Sequence, residues 1–368
     1  MSRPGLRDPS DARLLRACRR LPVDATPVWF MRQAGRALPE FRAVRKRASI
    51  VEITRDPALC AEVTLQPVRR LGVDAAILFA DIMTPLPGMG VGLEIREGVG
   101  PVIDHPVRSM ADVEALRSFD PAASVGPLLE AIRLIDTSSP VPLIGFAGAP
   151  FTLACYLIEG GPSREFVRTK TFLRAQPAAW AALMDRLTEA SIDYLRAQVG
   201  AGARAVQVFD SWVGGLSPFD YERAVAPWMR RLFDALRPLG VPAIHFGTGT
   251  AGILRHQAAA GGDVVGLDWR VSLADGWATV GPDRGVQGNL DPTLLLGPWE
   301  ATAESARCIL GQATGRPGHI FNLGHGVLPG TDPDDLRRLV DLVHEEGRPA
   351  DVVGATDPAI ANTEGSLK

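Results

Sequence analysis

Val28-Trp29-Phe30-Met31-Arg32-Gln33-Ala34-Gly35-Arg36 passes from an apolar triplet into a loop that carries two arginines four residues apart. The triplet shows no alternation of apolar and polar residues. A strand buried on both faces reads this way, because a parallel sheet covered by helices leaves neither face wet. Seven further short apolar runs follow, at 75–79, 143–146, 205–209, 243–246, 264–267, 285–287 and 320–323. Between them lie stretches with apolar residues at helical spacing: 57–71 ending at Gly72, 178–199 and 221–236. Strand then helix, repeated eight times, predicts an α/β fold, a single (β/α)8 TIM barrel. A doubly wound open sheet is the alternative, but no Gly-x-Gly-x-x-Gly follows the first run.

Outward from that core, residues 88–107 are rich in Gly and Pro around two alternating segments. They read as a β-hairpin insertion after strand two. The residues before Leu21 read as an N-terminal arm outside the barrel. From Ala350 the chain is small and polar, as disordered tails are. The expectation is one catalytic domain over 1–349 and a disordered C-terminal tail over 350–368.

Composition narrows the function classes. The 368 residues carry a formal net charge of −3, which argues against a nucleic-acid-binding protein. No apolar run approaches the ~20 residues that span a bilayer, and no secretory signal opens the chain. Cys18, Cys60, Cys155 and Cys308 are scattered, with no Cys-x-x-Cys pair. That fits reduced thiols in a cytoplasmic protein and neither a disulfide framework nor a zinc knuckle. Only Lys46, Lys170 and Lys368 are lysines, so arginine is the common cation and only its position informs.

Barrel enzymes work at the C-terminal ends of their strands. The residues there are Arg32 and Arg36, Asp81, Tyr156, Asp210 and Ser211, His245, Asp268 and Arg270, Asn289 and Asp291, and Asn322 and His325. Some have plain structural readings. Asp268 with Arg270 reads as a rim ion pair. Asp291-Pro292 and Asp332-Pro333 read as helix N-caps. Gly247-Thr248-Gly249 reads as a tight turn or a phosphate cradle. His245 is a satisfied rim histidine or a mouth residue. Arg32 and Arg36 resist such readings: a helical turn would put both on one face, and two guanidiniums together call for an anion. Asp81, after Ile77-Leu78-Phe79-Ala80, is a carboxylate in apolar company, which needs a partner or a task.

These residues carry a family resemblance. The stretch from Pro27 to Arg36 resembles the N-terminal signature of the uroporphyrinogen decarboxylase family. Gly145-Phe146-Ala147-Gly148-Ala149-Pro150-Phe151-Thr152-Leu153 resembles its second signature. Tyr156 before Glu159-Gly160-Gly161, His245-Phe246-Gly247, Gly266-Leu267-Asp268-Trp269-Arg270, Gln287-Gly288-Asn289 and Phe321-Asn322-Leu323-Gly324-His325-Gly326-Val327 continue the likeness over about residues 21–345. One departure is Ala37, where the family commonly carries an aromatic; another is a slightly short hairpin stretch.

The resemblance implies a carboxy-lyase of haem and chlorophyll synthesis that uses neither cofactor nor metal. It would remove four acetate carboxyls of uroporphyrinogen III as CO2 to give coproporphyrinogen III. Catalytic roles fall on Asp81 and Arg32. Substrate binding falls on Arg32, Gln33, Ala34, Gly35, Arg36, Asp81, Tyr156, Ser211 and His325. The partner implied is a small tetrapyrrole, with a homodimer as the assembly. The nearest rival is a zinc- and corrinoid-dependent methyltransferase of the same superfamily, which would need a thiolate-bearing His-x-Cys where this chain has His245-Phe246-Gly247. A non-catalytic tetrapyrrole-binding barrel is the other.

Overall fold

A computed structural model describes residues 11–96 and 100–348. The tail expected over 350–368 lies outside the described residues, as do the first ten residues of the expected arm. Seven parallel strands form one curled sheet: β1 Ala76–Ile77, β4 Leu143–Gly148, β5 Ala205–Asp210, β6 Ala243–Gly247, β7 Val264–Gly266, β8 Gly285–Gln287 and β9 His319–Ile320, hydrogen-bonded in that order. Between β1 and β4 the chain makes an antiparallel pair, β2 Leu93–Arg96 with β3 Gly100–Ile103, in which Leu93 faces Ile103.

The first apolar run departs from expectation. Residues 28–30 form no regular strand, only a parallel bridge between Val28 and Phe321. Its backbone nevertheless bonds on both sides. Phe321 N–H donates to Pro27 O at 2.8 Å, and Asp74 N–H donates to Val28 O at 2.8 Å. Inside the sheet, Trp29 Nε1 donates to Gln287 Oε1 and Gln287 Nε2 to Gln207 Oε1, each at 3.0 Å. Side chains from the run at 28–30, from β5 and from β8 therefore meet across the interior.

The helices form where local chemistry favours them. Pro57–Leu71 starts on Asp56, whose carboxylate accepts the N–H groups of Ala58 and Leu59, and has Pro57 at its first position. It ends at Gly72 in the left-handed region, φ 73°. Its apolar face, including Val63, Leu65 and Leu71, is buried. The helix expected over 221–236 is two: Pro218–Ala224 and Ala226–Leu236, broken at Val225. Pro227 explains the break, because proline has no N–H and restricts the residue before it. Asp291 and Asp332 cap the segments after them, accepting from Thr293 and Asp334 at 2.9 Å each.

At the N-terminal end of the strands, Asp74 ties the fold together. Its carboxylate accepts from Val28 N–H at 2.7 Å, Arg13 Nη1 at 2.8 Å and His344 Nε2 at 2.8 Å. Those three come from the first run, the helix Arg13–Cys18 and the helix Pro333–Glu346.

Candidate active site

The other end of the strands gathers most of the expected residues. Arg32 lies in a turn with φ 60°, and residues 31–38 form turns and bends. The helical turn expected to align Arg32 with Arg36 is thus absent. The loop is instead braced by Gln33, which is buried. Its Oε1 accepts from Phe30 N–H at 3.0 Å and its Nε2 donates to Ala75 O at 2.9 Å. With an amide contact at each end, Gln33 holds the loop. Asn322 helps: its Oδ1 accepts from Met31 N–H at 3.2 Å and Leu323 N–H at 2.8 Å. Ala34 and Gly35 are half-buried. The stem of Arg32 runs so close to Gly326 that a Cβ there would sit 2.4 Å from Arg32 Cδ. Arg32 is thereby placed beside His325.

Arg32 and Arg36 are exposed, and among the described residues neither guanidinium has a carboxylate within salt-bridge distance. Elsewhere arginines pair readily: Arg13 with Asp24, Arg204 with Asp136, Arg270 with Asp268. Two unpaired cations in one loop attract an anion.

Asp81 follows β1 and is half-buried. Its Oδ1 accepts from Met83 N–H at 2.8 Å. Burial pushes its carboxyl above the usual range, while that hydrogen bond and the positive charge of Arg32 pull it back. Tyr156, on the helix Pro150–Glu159, feels both Asp81 and Arg32. Burial first, then the Asp81 charge, pushes its phenol up to about 12, so its O–H is a donor at neutral pH.

His325 is held at about 4 by burial and by repulsion from Arg32 and Arg270, which Asp268 only partly offsets. It is neutral near pH 7. Its Nδ1 accepts from Gly326 N–H at 2.6 Å, so in the neutral ring the proton sits on Nε2, which is a donor. Ser211, just past β5, is half-buried, and its carbonyl accepts from Thr248 Oγ1. Asp81, Arg32, Tyr156 and His325 thus form one electrostatic group. Phe146, Phe209 and Phe246, in edge-to-face contacts of 5.4 and 5.8 Å, supply an apolar floor from the same strands.

Other expected residues have structural tasks. Asp268 accepts from Arg270 Nη1 and from Gly249 N–H, each at 2.5 Å, so Gly247-Thr248-Gly249 is a braced turn. Asn289 Nδ2 donates to the carbonyls of Asp268 and Val271. His245 is fully buried, 4.9 Å from the ring of Phe233 on the helix layer. It points away from the mouth, because successive strand residues face opposite sides and Phe246 takes the inner one. Two aromatics escaped the sequence reading: Trp212 stacks on Tyr156 with centroids 3.9 Å apart, and Phe166 lies 5.1 Å beyond it. A search confined to polar residues after strands passes over both. A tryptophan next to Ser211 was the available signal.

Among the described residues no three His, Cys, Asp or Glu side chains cluster as metal ligands. Cys18, Cys60 and Cys155 are buried and Cys308 is exposed, all four as free thiols. No helix of the described residues is long and apolar enough to cross a membrane.

Comparisons with known proteins agree with this geometry. The family model described as uroporphyrinogen decarboxylase (URO-D) matches residues 9–346. A uroporphyrinogen decarboxylase from a Roseiflexus species is 54% identical over 91% of this chain and 98% of its own length. One from Thermus thermophilus is 55% identical over 90% of this chain and 97% of its own. A methyltransferase from Methanosarcina mazei superposes with a TM-score of 0.76 at 24% identity, covering 90% of this chain and 97% of that one. That likeness concerns the barrel-like fold alone. The chain belongs to the uroporphyrinogen decarboxylase family.

Proposed function

We propose that this chain decarboxylates uroporphyrinogen III to coproporphyrinogen III, releasing four CO2 without cofactor or metal, at the mouth formed by Arg32, Arg36, Asp81, Tyr156, Ser211 and His325. The observation that carries the reading is the pairing of two opposite features. Among the described residues the Arg32 and Arg36 guanidiniums have no carboxylate within salt-bridge distance, and Asp81 is a carboxylate whose charged form is disfavoured by burial. The substrate supplies what each lacks: eight carboxylates for the arginines and pyrrole N–H donors for Asp81.

In this reading Arg32 and Arg36 grip substrate carboxylates, with hydrogen bonds from the Tyr156 hydroxyl, the Ser211 hydroxyl and the Nε2–H of neutral His325. Gln33, Ala34 and Gly35 shape the loop that presents the arginines. Asp81 accepts the pyrrole N–H groups. Protonation at a pyrrole carbon places positive charge on the ring. The bond to the acetate carboxyl then breaks, its electron pair neutralises the ring, and CO2 leaves. The exocyclic carbon takes up a proton and the ring carbon loses one, so each decarboxylation consumes one proton in all. An ionised Asp81 stabilises the transient cation, strongly so where water is scarce. A guanidinium holds its proton too firmly to be a good acid, so Arg32 acts chiefly as a charge that orients the leaving carboxylate.

The fold that carries this site is read as an eight-stranded closed (β/α)8 barrel in one domain. Residues 27–29 complete the ring, with an N-terminal arm and a hairpin insertion after the second strand. A cytoplasmic homodimer is the assembly in keeping with it. Anaerobic incubation of the chelator-treated protein with uroporphyrinogen III, then oxidation and chromatography, tests the activity. Stepwise conversion to coproporphyrin is expected; recovery of unchanged uroporphyrin would refute it.

A further inference from the structure

One wall of the mouth is built from aromatic rings in series. Phe166, buried, lies against the indole of Trp212 at 5.1 Å and 34°; Trp212 in turn lies against Tyr156 at 3.9 Å and 35°. Tyr156 is the end of the series that senses Asp81 and Arg32. Phe166 is the anchored end. Gly215 leaves just enough room for its ring, since a Cβ there would stand 3.1 Å from Phe166 Cδ2. Tyr156 and Trp212 are only half-buried, so the series keeps an apolar face at the mouth.

The angle of this slab is set by a buried hydrogen-bond chain. Trp212 N–H donates to Thr152 Oγ1 at 3.3 Å, and the Thr152 hydroxyl donates to Asp210 Oδ1 at 3.0 Å. Thr152 and Asp210 are both fully buried. Thr152 stands four residues before Tyr156 on the helix Pro150–Glu159, so one helical turn fixes both the ring and the anchor of its neighbour. Asp210 is the last residue of β5, next to Ser211. The second carboxyl oxygen of Asp210 has no hydrogen-bond partner among the described residues. An incompletely satisfied buried carboxyl costs stability, and such a cost is commonly met where a site needs positioning.

We propose that Trp212 is a substrate-contacting residue whose indole, with Tyr156, forms the wall against which one pyrrole ring of the macrocycle packs, and that Thr152 and Asp210 are positioning residues that hold this wall. The proposal rests on the decarboxylase reading above. The polar groups of the mouth fix carboxylates and N–H groups; the slab adds flat apolar area, which a flexible macrocycle needs to be held in one shape.

The test measures steady-state turnover of uroporphyrinogen III by the full chain, with thermal midpoints taken alongside. Wild-type turnover is the first readout: without it the decarboxylase reading fails, and this inference with it. Given turnover, Trp212→Ala should raise KM about tenfold with kcat changed less than about threefold, as losing ~1.4 kcal/mol of ring contact would do. Trp212→Phe should recover most of that loss. Thr152→Val, which removes both the acceptor for Trp212 N–H and the donor to Asp210, should raise KM in the same sense, and Thr152→Ser should restore it. Unchanged KM in both Trp212→Ala and Thr152→Val overturns the proposal. So does an equal fall in kcat and thermal midpoint without a KM change, which is the mark of a merely structural role. Should Thr152→Val fail to fold, the Trp212 pair decides alone.

Discussion

Asp74 and Asp81 flank the same short strand, β1, and their carboxylates are satisfied in opposite ways. Asp74, at the N-terminal end, is surrounded by partners from three separate parts of the chain: Val28, Arg13 and His344. Asp81, at the C-terminal end, has the N–H of Met83 for one oxygen and is pushed up by burial. The arginines repeat the contrast. A cavity of about 730 Å3 opens at the N-terminal end of the sheet, lined by Arg20, Arg230, Arg237 and Arg284 among others. Each of these is engaged: Arg230 with Glu222, Arg237 with Asp234, Arg20 with the carbonyl of Pro282 and Arg284 with that of Gly262. Arg32 and Arg36 have no such partners among the described residues. The lower cavity offers space whose cations are already engaged; unmet chemistry favours the mouth. A group fully satisfied by its own protein stabilises the fold, while one left wanting is available to a ligand.

Charge reversal at the mouth should have the larger effect. Arg36→Glu replaces an attraction for substrate carboxylate with a repulsion. We expect kcat/KM to fall about 100-fold, equivalent to ~2.7 kcal/mol, at an unchanged thermal midpoint. A loss of less than threefold would remove Arg36 from the grip. At the other end, Asp74→Ala removes the acceptor of the Val28 N–H and of the Arg13 and His344 side chains. Denaturant unfolding should show a stability loss of about 2 kcal/mol with turnover per folded molecule retained. A loss of turnover with intact stability would erase the distinction between the ends.

Asp210 gives a smaller, pH-dependent difference. Burial holds its carboxyl at about 7, against 3.8 in the ordinary state, with Thr152 opposing the shift. Between those values the native chain keeps a proton that the unfolded chain has released. Stability from this group is therefore present at low pH and is lost as pH rises to about 7. Asp210→Asn should remove that dependence, so the wild-type midpoint should fall relative to the variant between pH 5 and pH 8. Parallel pH profiles would contradict it.

The fold was readable where local chemistry and global packing agree. The helix over 57–71 announced itself through Asp56, Pro57 and Gly72, and the runs at 205–209 and 285–287 became β5 and β8 nearly as read. The run at 28–30 was readable as apolar, but not as a single bridge, because the side chains of Gln33 and Asn322 take the N–H groups of Phe30 and Met31 and composition says nothing about that. His245 was misplaced for a related reason. In a strand buried on both faces every residue is apolar or packed, so sequence alone does not say which parity faces the mouth. Gln33 sits inside a signature, yet its amide serves the backbone of the loop. The charged residues of the candidate site stood out in the sequence because unpaired charge beside apolar runs is itself improbable. The slab of Tyr156, Trp212 and Phe166 was only partly so, because an aromatic outside a strand looks like any other packing residue.

The most direct test sets the two carboxylates against each other. Asp81→Asn and Asp74→Asn change one oxygen to an amide at either end of one strand. Anaerobic turnover of uroporphyrinogen III and thermal unfolding would be measured on both. The account predicts that Asp81→Asn melts like the parent and loses turnover by about 100-fold or more, as removal of one electrostatic stabiliser does. It predicts that Asp74→Asn melts lower and keeps its turnover. Near-parental turnover by Asp81→Asn would contradict the central claim that its charge drives the chemistry.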